Sequence, residues 1–251
     1  MATFVTSDHI VRKIWGRADT VLFIFAASAA EFAVNKAVDW LYFTGKLPSD
    51  PLGRLFSTVT YARHIIFSDH DDAIRAIDKI TAIHHGVEQA RGAQIPDWAY
   101  RDVLFMLIDH SIRAFELLDR KLTMKEKADV FDVFYRVGVQ MKLTGLPVSY
   151  LQWEMMRNHQ LNQDTISSEF TINLYKQYKK HLGRIRFFIL KQVQIMMVPE
   201  RVRKLLRLRR IPVLLPALLF YKLFRRMKLE GLLKNALLPV EYKAQIMALD
   251  V

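Results

Sequence analysis

Apolar side chains recur along this chain with the period of an α-helix, and this pattern restricts the fold more than any other feature. In stretches such as VLFMLIDHSIRAFELL they fall every three or four residues, which is the spacing of one helix face. We find no convincing run of alternating apolar and polar residues followed by a hairpin turn, which would predict paired strands. The pattern therefore predicts an all-α fold with a single multi-helix domain.

Capping and turn residues predict where these helices begin and end. Ser7-Asp8 and Asp19-Thr20 are N-cap signals, and the helix that follows the second is predicted to run to about Phe43. Thr123 and Glu126 have the spacing of a capping box. Further helices are predicted over about 52–67, 71–91, 97–120, 147–160 and 165–197, and the C-terminal part is broken by Pro212, Pro216 and Pro239.

The residue inventory excludes several kinds of chemistry. The chain has no cysteine, so it has no disulfide, thiolate metal site or cysteine nucleophile. It also lacks GxGxxG, GxxxxGK[ST], GxSxG and HExxH, which removes support for nucleotide, serine-hydrolase and zincin functions. Paired Glu-x-x-His motifs of a di-iron bundle are missing too. The candidate ligands that remain are histidines on helices. Haem is compatible with them, because haem binding requires only one axial histidine and an apolar crevice.

Basic residues are concentrated in the last third of the chain. Residues 176–234 contain 17 Lys and Arg against Glu200 and Glu230, whereas residues 1–175 are nearly balanced. Such a segment is either a solvated face or a surface that binds an anionic membrane or a nucleic acid. Of these two partners, we do not expect nucleic acid. We predict a domain over 1–200 with a basic helical extension, 201–251, packed on it, and membrane contact through Arg201–Lys228.

No targeting or spanning segment is expected. The first fifteen residues lack a continuous apolar core and a small-residue cleavage site, so we expect no secretory signal. The longest apolar runs, TVLFIFAASAA and IPVLLPALLFY, are shorter than the roughly 18–20 residues of a transmembrane helix. We therefore expect a cytoplasmic protein that is soluble or peripheral to the membrane.

Adjacent histidines stand in the stretch KITAIHHGVEQA, and they point in different directions. On a helical wheel started at Ile74, His84 lies at about 280°, inside the apolar arc of Ile77, Ile80, Ile83 and Val87, and His85 lies near 20° beside polar residues. His84 is therefore the histidine directed inward. By itself such a residue is explained as well by a hydrogen-bonded core histidine as by a ligand.

Polar residues on otherwise apolar helices supply the other candidates. Arg54 and Thr58 lie one turn apart, and a cation in a first turn opposes the helix dipole; an ion pair with Asp50 is the alternative to a site role. Glu31 is either a structural ion pair or a pocket carboxylate. Asp109 pairs with Arg113 or accepts the ring N–H of a ligating histidine.

Three blocks in this order resemble the MpaB-type and rubber oxygenase (latex clearing protein) family: DPLGRLFSTVTYARHIIF, AIDKITAIHHGV and the stretch from DVLFMLIDHSIRAFELL to YRVGVQM. TGLPVSYLQWEMM, VPERVRKLL and LLPVEY extend the resemblance over nearly the whole chain. The family is all-α and binds b-type haem, and its characterised members use dioxygen to cleave double bonds of isoprenoid chains. The resemblance therefore implies a haem b (iron) oxygenase acting on a small apolar, unsaturated lipid or isoprenoid-like substrate.

What the resemblance implies can be assigned residue by residue. The family's iron-ligating histidine in H-x-x-V falls on His84, and its haem-side Arg and Thr fall on Arg54 and Thr58. Together with Arg54 and Thr58, Glu31 is a catalytic candidate, and its expected role is that of a base on the distal side of the haem. Asp109 is expected to assist cofactor binding by accepting the ring N–H of His84. His110 is the second choice of ligand.

The chain also departs from the family. Many members have His-Pro where this chain has Glu31-Phe32, and many have a histidine where it offers Leu104 or Phe105. These differences leave two possibilities open: the protein binds haem but catalyses a different reaction, or it is a relative that has lost haem. The alternative function is a non-catalytic helical module that docks on anionic membrane surfaces.

Overall fold

A computed structural model describes residues 3–45, 49–226 and 250, apart from the side chains of Leu55, Phe224 and Arg226. Eleven helices and no strand form in these residues, which confirms the all-α prediction. The helices are α1 (Ile10–Trp15), α2 (Ala18–Val34), α3 (Val38–Phe43), α4 (Pro51–Phe67), α5 (His70–Arg91), α6 (Asp97–Leu118), α7 (Met124–Gln140), α8 (Tyr150–Gln163), α9 (Glu169–Met197), α10 (Glu200–Leu205) and α11 (Leu215–Arg226).

Helix α2 lies at the centre of the fold. Its side chains are apolar on nearly every face, and a helix of that kind is stable only when it is surrounded by protein. Ala27, Ala30 and Ala33 are fully buried, and such small side chains permit close approach of neighbouring helices. The most extensive packing of α2 is against α6 and α9. Any charged group on the inner part of α2 is therefore out of reach of water.

The remaining helices form pairs around this centre. Helix α4 packs on α5, α6 on α7, and α1 on α7. The main core includes Trp15 on α1, Ile77 on α5 and Ile108 on α6, all almost completely buried. Packing α4 against α5 places the Arg54 and His84 helices side by side.

Several predicted helix bounds are confirmed. Helices α4, α5 and α6 agree with their predictions to within two residues. The capping box at the start of α7 is present, because the Thr123 hydroxyl accepts from Glu126 N and the Glu126 carboxylate accepts from Thr123 N. The side chain of Asp50 caps α4 by accepting a hydrogen bond of 2.9 Å from Gly53 N.

Other predicted bounds are wrong for identifiable reasons. The helix predicted to run to Phe43 ends at Val34, because Val34 O accepts from Ile166 N and Lys36 N donates to Asp164 O. The cap predicted at Asp19-Thr20 lies inside α2, and the helix predicted from Thr165 begins at Glu169. Likewise, His9 and Ser149 are the N-caps of α1 and α8, not the predicted Ser7-Asp8 and Pro147. Helix α9 is also kinked at Gly183, whose φ of 72° is in the left-handed region.

The C-terminal part is described up to residue 226. Val202 of α10 is fully buried, and Arg225 of α11 is paired with Asp19 of α2 at 3.3 Å. No helix among the described residues has both the length and the apolar character needed to cross a membrane. Pro239 lies outside the described residues, and the division at residue 201 stays a prediction.

Candidate haem-binding site

The two adjacent histidines of α5 have different surroundings, as the helical wheel indicates. His84 is half-buried, and its ring packs edge-on against Tyr100 with 5.1 Å between the ring centroids. Its Nδ1 is buried, and in the described part of the chain neither ring nitrogen has a hydrogen-bond partner. The His85 side chain is 65% exposed, and its Nδ1 lies 2.8 Å from Glu88 Oε2. Only His84 keeps both nitrogens available.

The surroundings of His84 keep its imidazole neutral. Burial, followed by the positive charge of Arg54, lowers the pKa of His84 to about 4. At neutral pH the ring therefore carries a free lone pair on one nitrogen. A neutral imidazole with a free lone pair is the form that binds a metal.

Arg54 is a half-buried cation without a carboxylate partner among the described residues, and the Asp50 carboxylate accepts from Gly53 N instead, so the alternative of an ion pair with Asp50 is wrong. Its Nη1 donates to Thr58 Oγ1 at 2.8 Å, and Thr58 Oγ1 donates to Arg54 O at 3.2 Å. Burial lowers the pKa of Arg54, but a guanidinium remains charged at neutral pH. The pair therefore presents an uncompensated positive charge next to α5.

A cavity of about 440 Å³ lies beside His84 and is more polar than predicted. Ile95, Met141 and Leu143 are among its apolar lining residues, but Asp78 and Asp97 also line it. The predicted inward arc of α5 is incomplete here, because Ile83 is 48% exposed. The structure therefore shows an open, mixed cavity at His84 in place of the apolar crevice expected from the sequence.

Glu88 links several side chains of this cavity. Its Oε1 accepts from Tyr100 Oη at 3.1 Å and from Ile95 N at 2.9 Å, while its Oε2 faces His85. The Tyr100 phenol is thus held at one end by Glu88 while its ring contacts His84. Tyr100 therefore restricts the orientation of His84, a role that no pattern in the sequence indicates.

A second polar group is buried between α2, α6 and α8. Arg157 Nη2 lies 2.6 Å from Glu31 Oε2 and 2.9 Å from Asp109 Oδ2, and Arg157 Nη1 bonds to Gln160 Oε1 at 2.7 Å. His110 Nε2 lies 3.0 Å from Glu31 Oε2. Glu31 and His110 have no exposed surface at all. We refer to Glu31, Asp109, His110 and Arg157 as the buried charge network.

The network stabilises the charged forms of its carboxylates. Burial alone would raise the pKa of Glu31, but the adjacent Arg157 outweighs it and lowers that pKa to about 2. The same balance, with Arg157 and Arg113 as the cations, holds the pKa of Asp109 below its usual range. Neither carboxylate takes up a proton near neutral pH.

Glu31 and Asp109 do not line the cavity at His84. Glu31 was predicted as a distal base, but its oxygens are occupied by Arg157 and His110, which makes it a structural ion pair. Asp109 was predicted to orient His84; it accepts instead from Arg113 at 2.6 Å and from Arg157. The alternative pairing of Asp109 with Arg113 is confirmed.

Arg157, the residue at the centre of the network, was not among the site residues predicted from the sequence. A signal was present, because Trp153, Arg157, Gln160 and Leu161 follow the i, i+4, i+7, i+8 spacing of one helix face, and all four are buried. A basic residue on the inward face of a helix requires an acidic partner, which could have been sought in Glu31 or Asp109.

The chemistry of these side chains can be compared with the needs of a b-type haem. Its iron needs a neutral imidazole with an unoccupied nitrogen, which His84 supplies. Its propionates need a cation, and Arg54, whose guanidinium donates to Thr58, is one without a carboxylate partner in the described residues. The donor set therefore fits the group, although the lining of the cavity is only partly apolar. No three His, Cys, Asp or Glu side chains in the described residues form a group able to hold a metal ion.

The fold and the site define an all-α protein with a single-histidine candidate site beside a half-buried arginine. The chain belongs to the family described as "ER-bound oxygenase mpaB/B'/Rubber oxygenase, catalytic domain", whose model matches residues 12–228. This membership confirms the resemblance seen in the sequence, and the family is by its description one of oxygenases. No curated protein and no solved structure matches the chain.

Proposed function

We propose that this protein is a b-type haem-dependent oxygenase whose substrate is an apolar, unsaturated lipid or isoprenoid-like molecule. The observation that carries the proposal is His84, a half-buried neutral imidazole with both nitrogens unpartnered in the described residues. A core histidine kept only for packing is expected to have a hydrogen-bond partner. Family membership supports the oxygenase class.

In this proposal the residues of the chain have separate tasks. His84 binds the iron through one ring nitrogen, and Tyr100 restricts the orientation of the imidazole through its edge-on contact. Arg54 neutralises a propionate, since its guanidinium has no carboxylate partner in the described part of the chain. Thr58 accepts from Arg54 Nη1 and thereby holds the guanidinium in place. When bound, haem supplies the dioxygen chemistry, which these side chains cannot perform.

The simplest test is the visible spectrum of the purified protein after haem has been supplied during expression. We expect an intense Soret band that remains after free haem has been removed by gel filtration. The apoprotein, reconstituted in solution, is expected to take up about one haem per chain. Protein that stays colourless under both conditions contradicts the haem part of the proposal and favours the alternative that follows.

A second candidate function is docking on an anionic membrane surface, and an exposed apolar surface near the C-terminus favours it. Ile211 is 76% exposed and Phe220 67% exposed, and Val213, Leu219 and Leu223 are exposed as well. Arg207, Arg209 and Arg210 are exposed just before this stretch. Basic groups next to apolar side chains are the combination that binds anionic bilayers from one side.

For this second function we expect the protein to co-sediment with vesicles containing phosphatidylserine much more than with phosphatidylcholine vesicles. Replacing Arg209 and Arg210 together by Gln should weaken binding roughly tenfold or more, at about 1 kcal/mol for each basic residue near the surface. The matched control replaces Lys13 and Lys125, exposed lysines of α1 and α7, by Gln. Equal binding to both kinds of vesicle would contradict the proposal that basic residues attract the protein to anionic membranes.

A further inference from the structure

Helices α6 and α8 line a second cavity, of about 430 Å³ and open to solvent on one side, that none of the residues of the proposed haem site line. Trp98, Phe105, Met155 and Met156 form its apolar walls. Its polar lining consists of Arg101, Asp102, His159, Gln160, Gln163 and Asp164. Tyr100 and Asp102 are two positions apart on α6, so their side chains leave the helix in nearly opposite directions. This cavity is therefore distinct from the one at His84.

Two buried polar side chains of the cavity have unused hydrogen-bonding capacity. Gln160 is 5% exposed; its Oε1 accepts from Arg157, which fixes the orientation of the amide, and its Nε2 has no hydrogen-bond partner. Asp102 is 3% exposed and accepts from Asn35 Nδ2 at 2.8 Å through Oδ2. The Gln160 side chain lies close enough to Asp102 to favour its charged form, but no hydrogen bond of normal geometry joins the two side chains. A donor and a carboxyl group thus lie close together in the lining of one cavity, each with hydrogen-bonding capacity left over.

The charges of the lining disfavour an ionic ligand. Arg101 and Asp164 carry opposite charges and Asp102 is only partly ionised near neutral pH, so the lining has little net charge with which to hold an ion that has lost part of its hydration. Burial, aided by the charge of Asp164, also raises the pKa of Asp102 to about 7. Near neutral pH this carboxyl group is therefore present both as an acceptor and as a donor.

We propose that the α6–α8 cavity binds a small neutral amphiphile whose polar head is a hydroxyl group. A hydroxyl oxygen accepts from Gln160 Nε2, and the same hydroxyl either donates to Asp102 or accepts from its protonated form. The apolar body lies against Trp98, Phe105 and the two methionines. The volume is within the range of small-molecule sites. Neither the haem nor the residues around His84 enter this inference.

The test uses three probes of equal chain length, 1-octanol, octanoate and octylammonium, titrated into the full chain by isothermal calorimetry. We expect 1-octanol to bind at least about tenfold more tightly than either ion, because only its head group satisfies both polar partners without burying a charge. Equal affinity for the three probes, or tighter binding of an ion, would overturn the proposal.

Variants assign the binding to this cavity. Gln160→Met removes the unpartnered donor and should weaken 1-octanol binding about tenfold, as expected for a lost buried hydrogen bond, while the control Gln163→Met at the exposed rim should not. Since Gln160 also accepts from Arg157, folding of that variant is checked by circular dichroism. Met155→Trp, at a position 67% exposed, fills the cavity without touching Arg157 and should abolish binding. Unchanged binding in Met155→Trp places the ligand elsewhere and refutes the assignment.

Discussion

Replacing His84 by alanine is expected to abolish the Soret band of haem-supplied protein, whereas replacing His85 leaves it nearly unchanged. His84 is the neutral, half-buried imidazole beside Arg54, while His85 is exposed and faces Glu88. Loss of an axial ligand should weaken haem binding by more than the roughly 10–100-fold that loss of an outer partner costs. The measurement is the haem-to-protein ratio after gel filtration.

The same variants contain their own controls. Far-UV circular dichroism should be equal in His84→Ala and His85→Ala, because neither ring has a buried hydrogen bond whose loss would unfold α5. A Soret band lost from both variants, or from His85→Ala alone, would show that the assignment to His84 is wrong. His110→Ala would then be the next variant, although His110 is held by Glu31 in the buried charge network.

Local sequence signals predicted the helices that are determined by local contacts. The Asp50 and Thr123 caps and the apolar spacing of α5 and α6 act within one turn or one face, so the sequence shows them directly. The end of α2 at Val34 could not be predicted, because it depends on Ile166 and Asp164, more than a hundred residues away. Long-range backbone hydrogen bonds thus end a helix although its apolar pattern continues along the sequence.

The candidate site was predictable in part for the same reason. Angles on a wheel distinguished His84 from His85, and the i, i+4 spacing paired Arg54 with Thr58. The wheel could not show that α5 emerges from the core before Ile83, which is 48% exposed, nor that Tyr100 from another helix contacts His84. Likewise, the sequence offered Glu31 as either an ion pair or a pocket carboxylate, and only the distant Arg157 decides between them.

Replacing Arg157 by methionine is expected to be the most destabilising single change considered for this chain. Methionine preserves much of the volume but leaves Glu31 and Asp109 buried without their shared cation. Breaking a buried pair by removing one partner costs about 3–5 kcal/mol of the free energy of unfolding. That corresponds to a melting temperature lower by roughly 6–10 °C for a chain of this size. Thermal unfolding followed by circular dichroism measures it.

Arg113→Met is the matched control, because the Arg113 side chain is 44% exposed and pairs with the same Asp109 at 2.6 Å. An ion pair with one partner in solvent contributes at most about 1 kcal/mol, so the melting temperature should change by only a few degrees. Similar losses in the two arginine variants would contradict the account of Arg157 as the cation that makes a buried Glu31 tolerable.

A double-mutant cycle with Glu31→Gln separates charge compensation from packing. In the Arg157→Met background, Glu31→Gln removes the uncompensated charge and keeps an amide that can bond His110, so it should restore part of the lost stability. In the wild-type background the same change breaks the Arg157 pair and should destabilise. Groups in direct contact typically couple by about 0.5–3 kcal/mol, and we expect the upper part of that range. A coupling near zero would mean that Arg157 stabilises the fold through its packed side chain alone, and that the charge of Glu31 is satisfied by His110.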